Sequence, residues 1–183
     1  ERHAGQAVTC DDFAQAIADA NPDSELAKRL EPFKRWYAQA GTPRVQAQGS
    51  YDAANQIYTL KLSQRSAPTP GQPVKAPAVI PVAMGLVAPD GRHLNLHFEG
   101  QLASVGHNTV LVLSEPEQTF TFVHVPVEPV PSLLRGFSAP VVLEAELSDD
   151  ALFTLLSHDQ DPFNRWEAAQ KLSLRHQILG GRR

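Results

Sequence analysis

The chain has 183 residues, enough for one compact domain with its own core and a fragment of a second. With 16 basic and 20 acidic residues its formal charge is -4, and no basic patch with interleaved aromatics occurs, which excludes an electrostatic grip on a nucleic-acid backbone. The single cysteine, Cys10, excludes an intrachain disulfide framework and a cysteine-based zinc knuckle, and suits a reducing compartment, so a cytoplasmic location is expected.

The first zone has helical periodicity. Thr9 followed three residues later by Asp12 is spaced as a helix start, the hydroxyl accepting a backbone N–H and the acid reaching back. Phe13, Ala16, Ile17 and Ala20 then form one apolar face. Asn21-Pro22-Asp23-Ser24 interrupts, and Leu26, Leu30, Phe33 and Tyr37 resume the spacing, with Pro32 opening a new helix or kinking the old one. Gly41 and Pro43 close the zone, since glycine accepts the left-handed cap and proline cannot continue a helix.

From Arg44 to about Glu146 the period is two. A short strand is expected around Val45. Tyr58, Leu60 and Leu62 mark the next; Ile80, Val82, Met84 and Leu86 another; Leu94, Leu96 and Phe98 a fourth. Val110 and Val112, then Phe120 and Phe122, then Val141, Leu143 and Ala145 complete the set, with turn signals at Asp52-Ala53-Ala54-Asn55 and Pro89-Asp90-Gly91. About seven strands on this pattern point to an immunoglobulin-like antiparallel β-sandwich. The proline-rich stretches Pro68 to Pro77 and Pro126 to Pro131 read as sandwich connections, either of which could present a docking surface. After Glu146 helices return: Ser148-Asp149-Asp150 caps one bearing Leu152, Leu155 and Leu156, and Asp161-Pro162 opens another bearing Phe163, Trp166, Ala169 and Leu172.

Seven histidines raise the question of a metal. His93 and His97 are four apart, but the residues between them are Leu94, Asn95 and Leu96, without the glutamate of H-E-x-x-H. On a strand, residues four apart stand about 13 Å from each other, too far to share one ion, so both read as solvent-facing strand histidines. There is no G-x-S-x-G and no glycine-rich phosphate loop. Cys10 sits near a helix start, but Asp11 and Asp12 disfavour its thiolate, leaving an inert, partly buried thiol. His158-Asp159-Gln160-Asp161 reads as a solvated interhelical turn, and Trp36 and Trp166 as packing residues. No catalytic, cofactor-binding or metal-binding residue is nominated.

One string, Glu1-Arg2-His3-Ala4-Gly5-Gln6-Ala7-Val8-Thr9-Cys10-Asp11-Asp12-Phe13, closely resembles a segment of the bacterial aminopeptidase N family just after its catalytic core. Further matches follow in the same order: Arg35-Trp36-Tyr37, Gln64-Arg65 before Pro68-Thr69-Pro70, Glu117-Gln118-Thr119-Phe120, the run from Pro129 through Arg135-Gly136-Phe137 to Val141, and Phe163-Asn164-Arg165-Trp166 to Gln170. The family comprises zinc-dependent alanyl aminopeptidases of the gluzincin type. The resemblance implies that residues 1–42 are the helical tail of a thermolysin-like catalytic domain, 43–146 a β-sandwich, and 147–183 the start of a helical domain. It implies a zinc-containing parent that removes N-terminal residues from peptides. The family's zinc helix, its downstream glutamate, its G-A-M-E-N motif and its tyrosine have no counterpart here.

The expectation is therefore a non-catalytic structural segment linking catalytic and helical domains of the same parent chain, itself holding neither zinc nor cofactor. The alternative is an independent β-sandwich binding or interaction module. Glu1 and Gly180-Gly181-Arg182-Arg183 read as the boundaries of a segment taken from something longer, and no apolar stretch is long enough to span a bilayer. The sandwich is expected to fold without its end helices. In the parent the apolar faces of the first helices are expected to pack on the catalytic domain, and Leu152, Leu155, Leu156, Phe163 and Trp166 on further helices; in this segment the helices are expected to fold onto the sandwich, to associate through those faces, or to stay mobile.

Overall fold

The computed structural model describes Gly5 and residues 7–180; the boundary residues Glu1 and Gly181 to Arg183 lie outside the described residues. The sequence alternation becomes two sheets. Strands β1 (Arg44–Asp52), β2 (Ile57–Arg65), β5 (Glu117–Phe122) and β7 (Val142–Ala145) form one, in the order β5-β2-β1-β7. Strands β3 (Ile80–Val87), β4 (Thr109–Leu113) and β6 (Val130–Leu133) form the other, in the order β4-β3-β6. All pairings are antiparallel except that of β1 with β7. Val45, Leu60, Leu62, Ile80, Val82, Met84, Leu86, Leu113 and Phe122 fill the space between the sheets with essentially no exposure. The strand faces that alternate apolar in the sequence are thus the facing surfaces of an immunoglobulin-like sandwich.

Two strand assignments differ from expectation. Leu94 to Phe98 is extended but forms no ladder strand, because it crosses from one sheet to the other. Leu94 N–H donates to Leu86 O of β3 at 2.9 Å, whereas His97 O accepts from Val123 N–H beyond β5 at 2.9 Å. Its apolar residues still plug the core, Leu94 at 7% and Leu96 at 0% exposure. The second proline-rich stretch is not wholly a connection, since Val130 to Leu133 is the edge strand β6. Pro131 lies opposite Leu86 there, and an edge strand tolerates a missing N–H.

At the front, α1 (Cys10–Ala20) starts at the expected capping box: Thr9 Oγ1 accepts from Asp12 N–H at 3.1 Å, and Asp12 accepts from Thr9 N–H at 2.9 Å. Its buried residues are Ala14 and Ala18, while Phe13 and Ile17 face outward at 64% and 37% exposure. The rest of the helical zone breaks into single turns, α2 (Glu25–Lys28), α3 (Leu30–Phe33) and α4 (Arg35–Ala38), which dock on the sandwich through Trp36. The Trp36 indole N–H donates to Val79 O at 2.7 Å.

At the other end, α5 (Asp149–His158) and α6 (Pro162–Gly180) cover the outer face of β3 and β6. Leu152 and Leu155 are buried against Val87 and Val130, with Ala168 and Leu172 behind them. Of the three outcomes expected, those two leucines take the first, packing on the sandwich: β3 is buried on both faces over its last four residues, so the sandwich itself supplies their partner. Trp166, at 56% exposure, and Phe153, at 50%, remain outward. No helix among the described residues is long and apolar enough to cross a membrane.

Candidate functional site

Where the sandwich meets α5 and α6, the chain buries a polar cluster centred on Arg135. Strand β6 ends in a tight turn in which Leu134, Gly136 and Phe137 all take positive φ (57°, 61° and 55°). Two of these are not glycine, and such conformations persist only when surrounding contacts fix them. Here Gly136 N–H donates to Asp161 Oδ2 at 2.6 Å, and Ser138 Oγ accepts from Ala83 N–H at 2.9 Å.

The turn aims Arg135 back across β3, over Gly85, where a Cβ would overlap the guanidinium. Each branch of the fork then finds a different partner. Nε donates to Ser132 Oγ at 2.7 Å, Nη1 to Asn108 Oδ1, and Nη2 to Asp159 Oδ1 at 3.3 Å. His93 Nδ1 lies 3.5 Å from Nη2, and the other ring nitrogen of His93 meets His158 O at 3.0 Å, which fits the Nε2–H tautomer. Asn164 extends the network, donating to Ser132 Oγ and Leu133 O, both at 3.0 Å. The side chains of Arg135 and Asp159 are 9% and 0% exposed. Burial pushes the Arg135 pKa down from its ordinary value, opposed by the charges of Asp159 and Asp161, so the cation is held by its acidic neighbours.

Several sequence readings change at this point. His158 to Asp161 is not simply a solvated turn: Asp159 is buried, and Asp161 Oδ1 accepts from Phe163 and Asn164 N–H at 2.9 and 3.0 Å, starting α6. His93 and His97 are not solvent-facing but half-buried. His93 belongs to the Arg135 cluster, and His97 packs edge-on against His124 at 5.6 Å. Cys10 is exposed rather than partly buried. Trp36 packs as expected, whereas Trp166 lies on the surface, 5.4 Å from the Phe163 ring.

The cluster's chemistry is that of a clamp. Ser132 is 0% exposed, and both bonds recorded to its hydroxyl come from donors, so no base stands beside it as in a nucleophile pair. The zinc that the family resemblance implies does not fit the residues present. Both ring nitrogens of His93 are engaged by protein groups, and no group of three or more His, Cys, Asp or Glu among the described residues is arranged around a common point. Sequence reading missed Arg135, Asp159, Ser132, Asn108 and Asn164 as a unit, because they come from separate segments and share no motif spacing.

An immunoglobulin-like sandwich locked to a helical pair by a buried arginine defines the class of domain, and similarity gives its family. Residues 41–146 match the family described as a domain of unknown function, DUF3458, with an Ig-like fold, and the chain belongs to that family. Residues 149–180 match the model described as DUF3458_C, with ARM repeats. The chain is 45% identical over 173 residues to aminopeptidase N of Escherichia coli (strain K12), covering 94% of this chain and 19% of that protein. It is 37% identical to aminopeptidase N of Haemophilus influenzae, covering 92% of this chain and 18% of that one. For aminopeptidase N of Caulobacter vibrioides the identity is 40%, over 94% and 18%. Among solved structures, Legionella pneumophila aminopeptidase A in complex with aspartic acid superposes with a TM-score of 0.74 at 29% identity, over 98% of this chain and 18% of that one. The chain thus spans about one fifth of the length of the curated relatives, and is homologous to the Ig-like region of aminopeptidase N, a peptidase.

Proposed function

We propose that this chain is the architectural middle of a zinc-dependent aminopeptidase that removes N-terminal residues from peptides in the cytoplasm, and that it catalyses no step itself. In this reading residues 1–42 are the tail of the catalytic domain, 43–146 the sandwich, and 147–183 the first helices of a helical domain. The observation that carries it is the similarity over 94% of the chain to only 19% of an aminopeptidase, through a segment whose buried Arg135–Asp159 cluster is a clamp. The outward Phe13 and Ile17 of α1 support a catalytic domain packed on that side, and the exposed Cys10 suits a reducing compartment.

The sandwich then acts as a spacer whose ends must hold their angle. The Arg135 fork provides this on the helical side, because a three-way hydrogen-bonded guanidinium fixes direction as well as distance. The test is an aminoacyl chromogenic assay on the purified chain together with elemental analysis. No turnover and no stoichiometric zinc are expected; chelator-sensitive turnover, or one zinc per chain, refutes the reading. A second reading, an independent binding module, is favoured by one feature, an open acidic groove beside β1.

A further inference from the structure

Strand β1 is longer than its parallel neighbour. β7 pairs only with Arg44 to Ala47, while β1 runs on to Asp52, paired on its other side with β2. After Ala145 the chain leaves the sheet for the Ser148-capped start of α5, vacating the lane beside residues 48–52. Val142 N–H donates to Pro43 O at 3.0 Å, which sets the odd-numbered peptide groups of β1 toward β7. By strand alternation Gly49 and Tyr51 present their N–H and C=O to the vacated lane.

The lane opens into a groove of about 870 Å³, whose lining includes Gln48, Gly49 and Tyr58, Glu128 to Pro131, Glu146 from the lead-in to α5 and Asp150 from its first turn. That volume lies within the range of roughly 300–1,000 Å³ typical of ligand sites. Two further observations say what fits. Tyr58 is 3% exposed, and its hydroxyl, which occupies the space a side chain at Gly49 would need, has no hydrogen-bond partner among the described residues. Burial, with the charge of Glu128 adding to it, pushes the phenol pKa up, so the group is a standing donor. The lining also carries four carboxylates and no Lys, Arg or His. Glu144 is taken by Arg44 and Arg65, whereas Glu128, Glu146 and Asp150 are exposed and have no ion-pair partner among the described residues.

We propose that this groove binds an extended peptide segment bearing Lys or Arg, which adds as a strand beside residues 48–52 of β1, takes the Tyr58 hydroxyl on a backbone carbonyl, and points its basic side chains at Glu128, Glu146 and Asp150. The lane accommodates about five residues at roughly 3.3 Å each. Recognition by main-chain pairing with side-chain selection at the rim is the chemistry of strand addition to a free sheet edge. The site follows from this chain's geometry alone and stands whether or not the chain is an enzyme's spacer.

The test is fluorescence polarisation of fluorescein-labelled Val-Lys-Val-Lys-Val against the full 183-residue chain. Saturable, salt-sensitive binding is expected, weakened about tenfold or more for Val-Glu-Val-Glu-Val, since tenfold corresponds to one lost interaction of ordinary size. A Glu128→Gln/Glu146→Gln double variant should weaken it comparably while melting like the parent, both groups being exposed. Methylating alternate backbone nitrogens of the lysine peptide, which keeps its charge, should abolish binding. No saturable binding overturns the proposal, as does equal affinity for the glutamate or the N-methylated peptide, or undiminished binding by the double variant. Self-association of the chain that the double variant abolishes also overturns it, by giving the groove to a second copy.

Discussion

Arg135 holds its place through groups from four segments: Ser132 on β6, Asn108 before β4, His93 after β3, and Asp159 between α5 and α6. Removing one partner of a buried ion pair leaves an unpaired buried charge and costs about 3–5 kcal/mol, whereas replacing both with apolar residues is often neutral or better. Asp159→Asn should therefore lower the denaturation midpoint strongly, while Arg135→Met/Asp159→Leu recovers much of the loss. A double variant no more stable than Asp159→Asn would show that the pair's neighbours, not its charges, set the energy. The second carboxylate oxygen of Asp159, buried without a partner among the described residues, marks where this network is least complete. None of this was legible in sequence, because Arg135 and Asp159 are 24 residues apart and meet only when α5 folds back over β3.

At the scale of elements, Glu144 ties three strands together. From β7 it accepts from Arg44 of β1 at 2.8 Å and from Arg65 of β2 at 3.0 Å. Those hydrogen bonds, Arg44's first and Arg65's second, hold its pKa below the usual carboxylate range. The sign follows from linkage: with the folded pKa depressed, the contribution is fully present above the unfolded value of roughly 4.3 and is lost as pH falls through the lower folded one. Glu144→Gln should therefore flatten the acid limb of the stability profile below about pH 4.3 and leave its neutral-side shape unchanged. Urea melts at a series of pH values check this, and an unaltered acid limb refutes it. The strands themselves were legible wherever one face was buried, as in β2, where Tyr58, Leu60 and Leu62 alternate inward. Two were misread for definite reasons. Pro131 disguised β6, whose edge position makes proline harmless, and Leu94 to Phe98 alternates like a strand while sending its hydrogen bonds to two different sheets.

For the whole molecule, the helices and the sandwich form one buried system on the α5 side. Val87 and Val130 are covered by Leu152 and Leu155, and Arg135 by Asp159. A polypeptide ending at residue 147 would expose those valines and leave the guanidinium unpaired. It should still melt cooperatively, since the core between the sheets lies within residues 45–139, but several degrees lower and with a smaller m-value. An unchanged midpoint would show that the sandwich is as self-contained as its alternation suggests. Hydrogen exchange on the full chain should show α5 protected like β3, and α1, which buries only Ala14 and Ala18, exchanging sooner.

Periodicity and caps are local, so the sequence by itself determined the order of helical, strand and helical zones, the Thr9 cap and the inward faces of the sandwich. It also carried the collinear pattern that aligns with the aminopeptidases. Which surfaces meet is a matter of long-range packing, and only the tertiary structure decided that. It turned α1 so that Phe13 faces outward, laid α5 on β3, gathered the Arg135 clamp, and opened the lane beside β1. A side chain's neighbours along the chain dictate its conformational preferences, but its burial and its charge partners depend on segments tens of residues away.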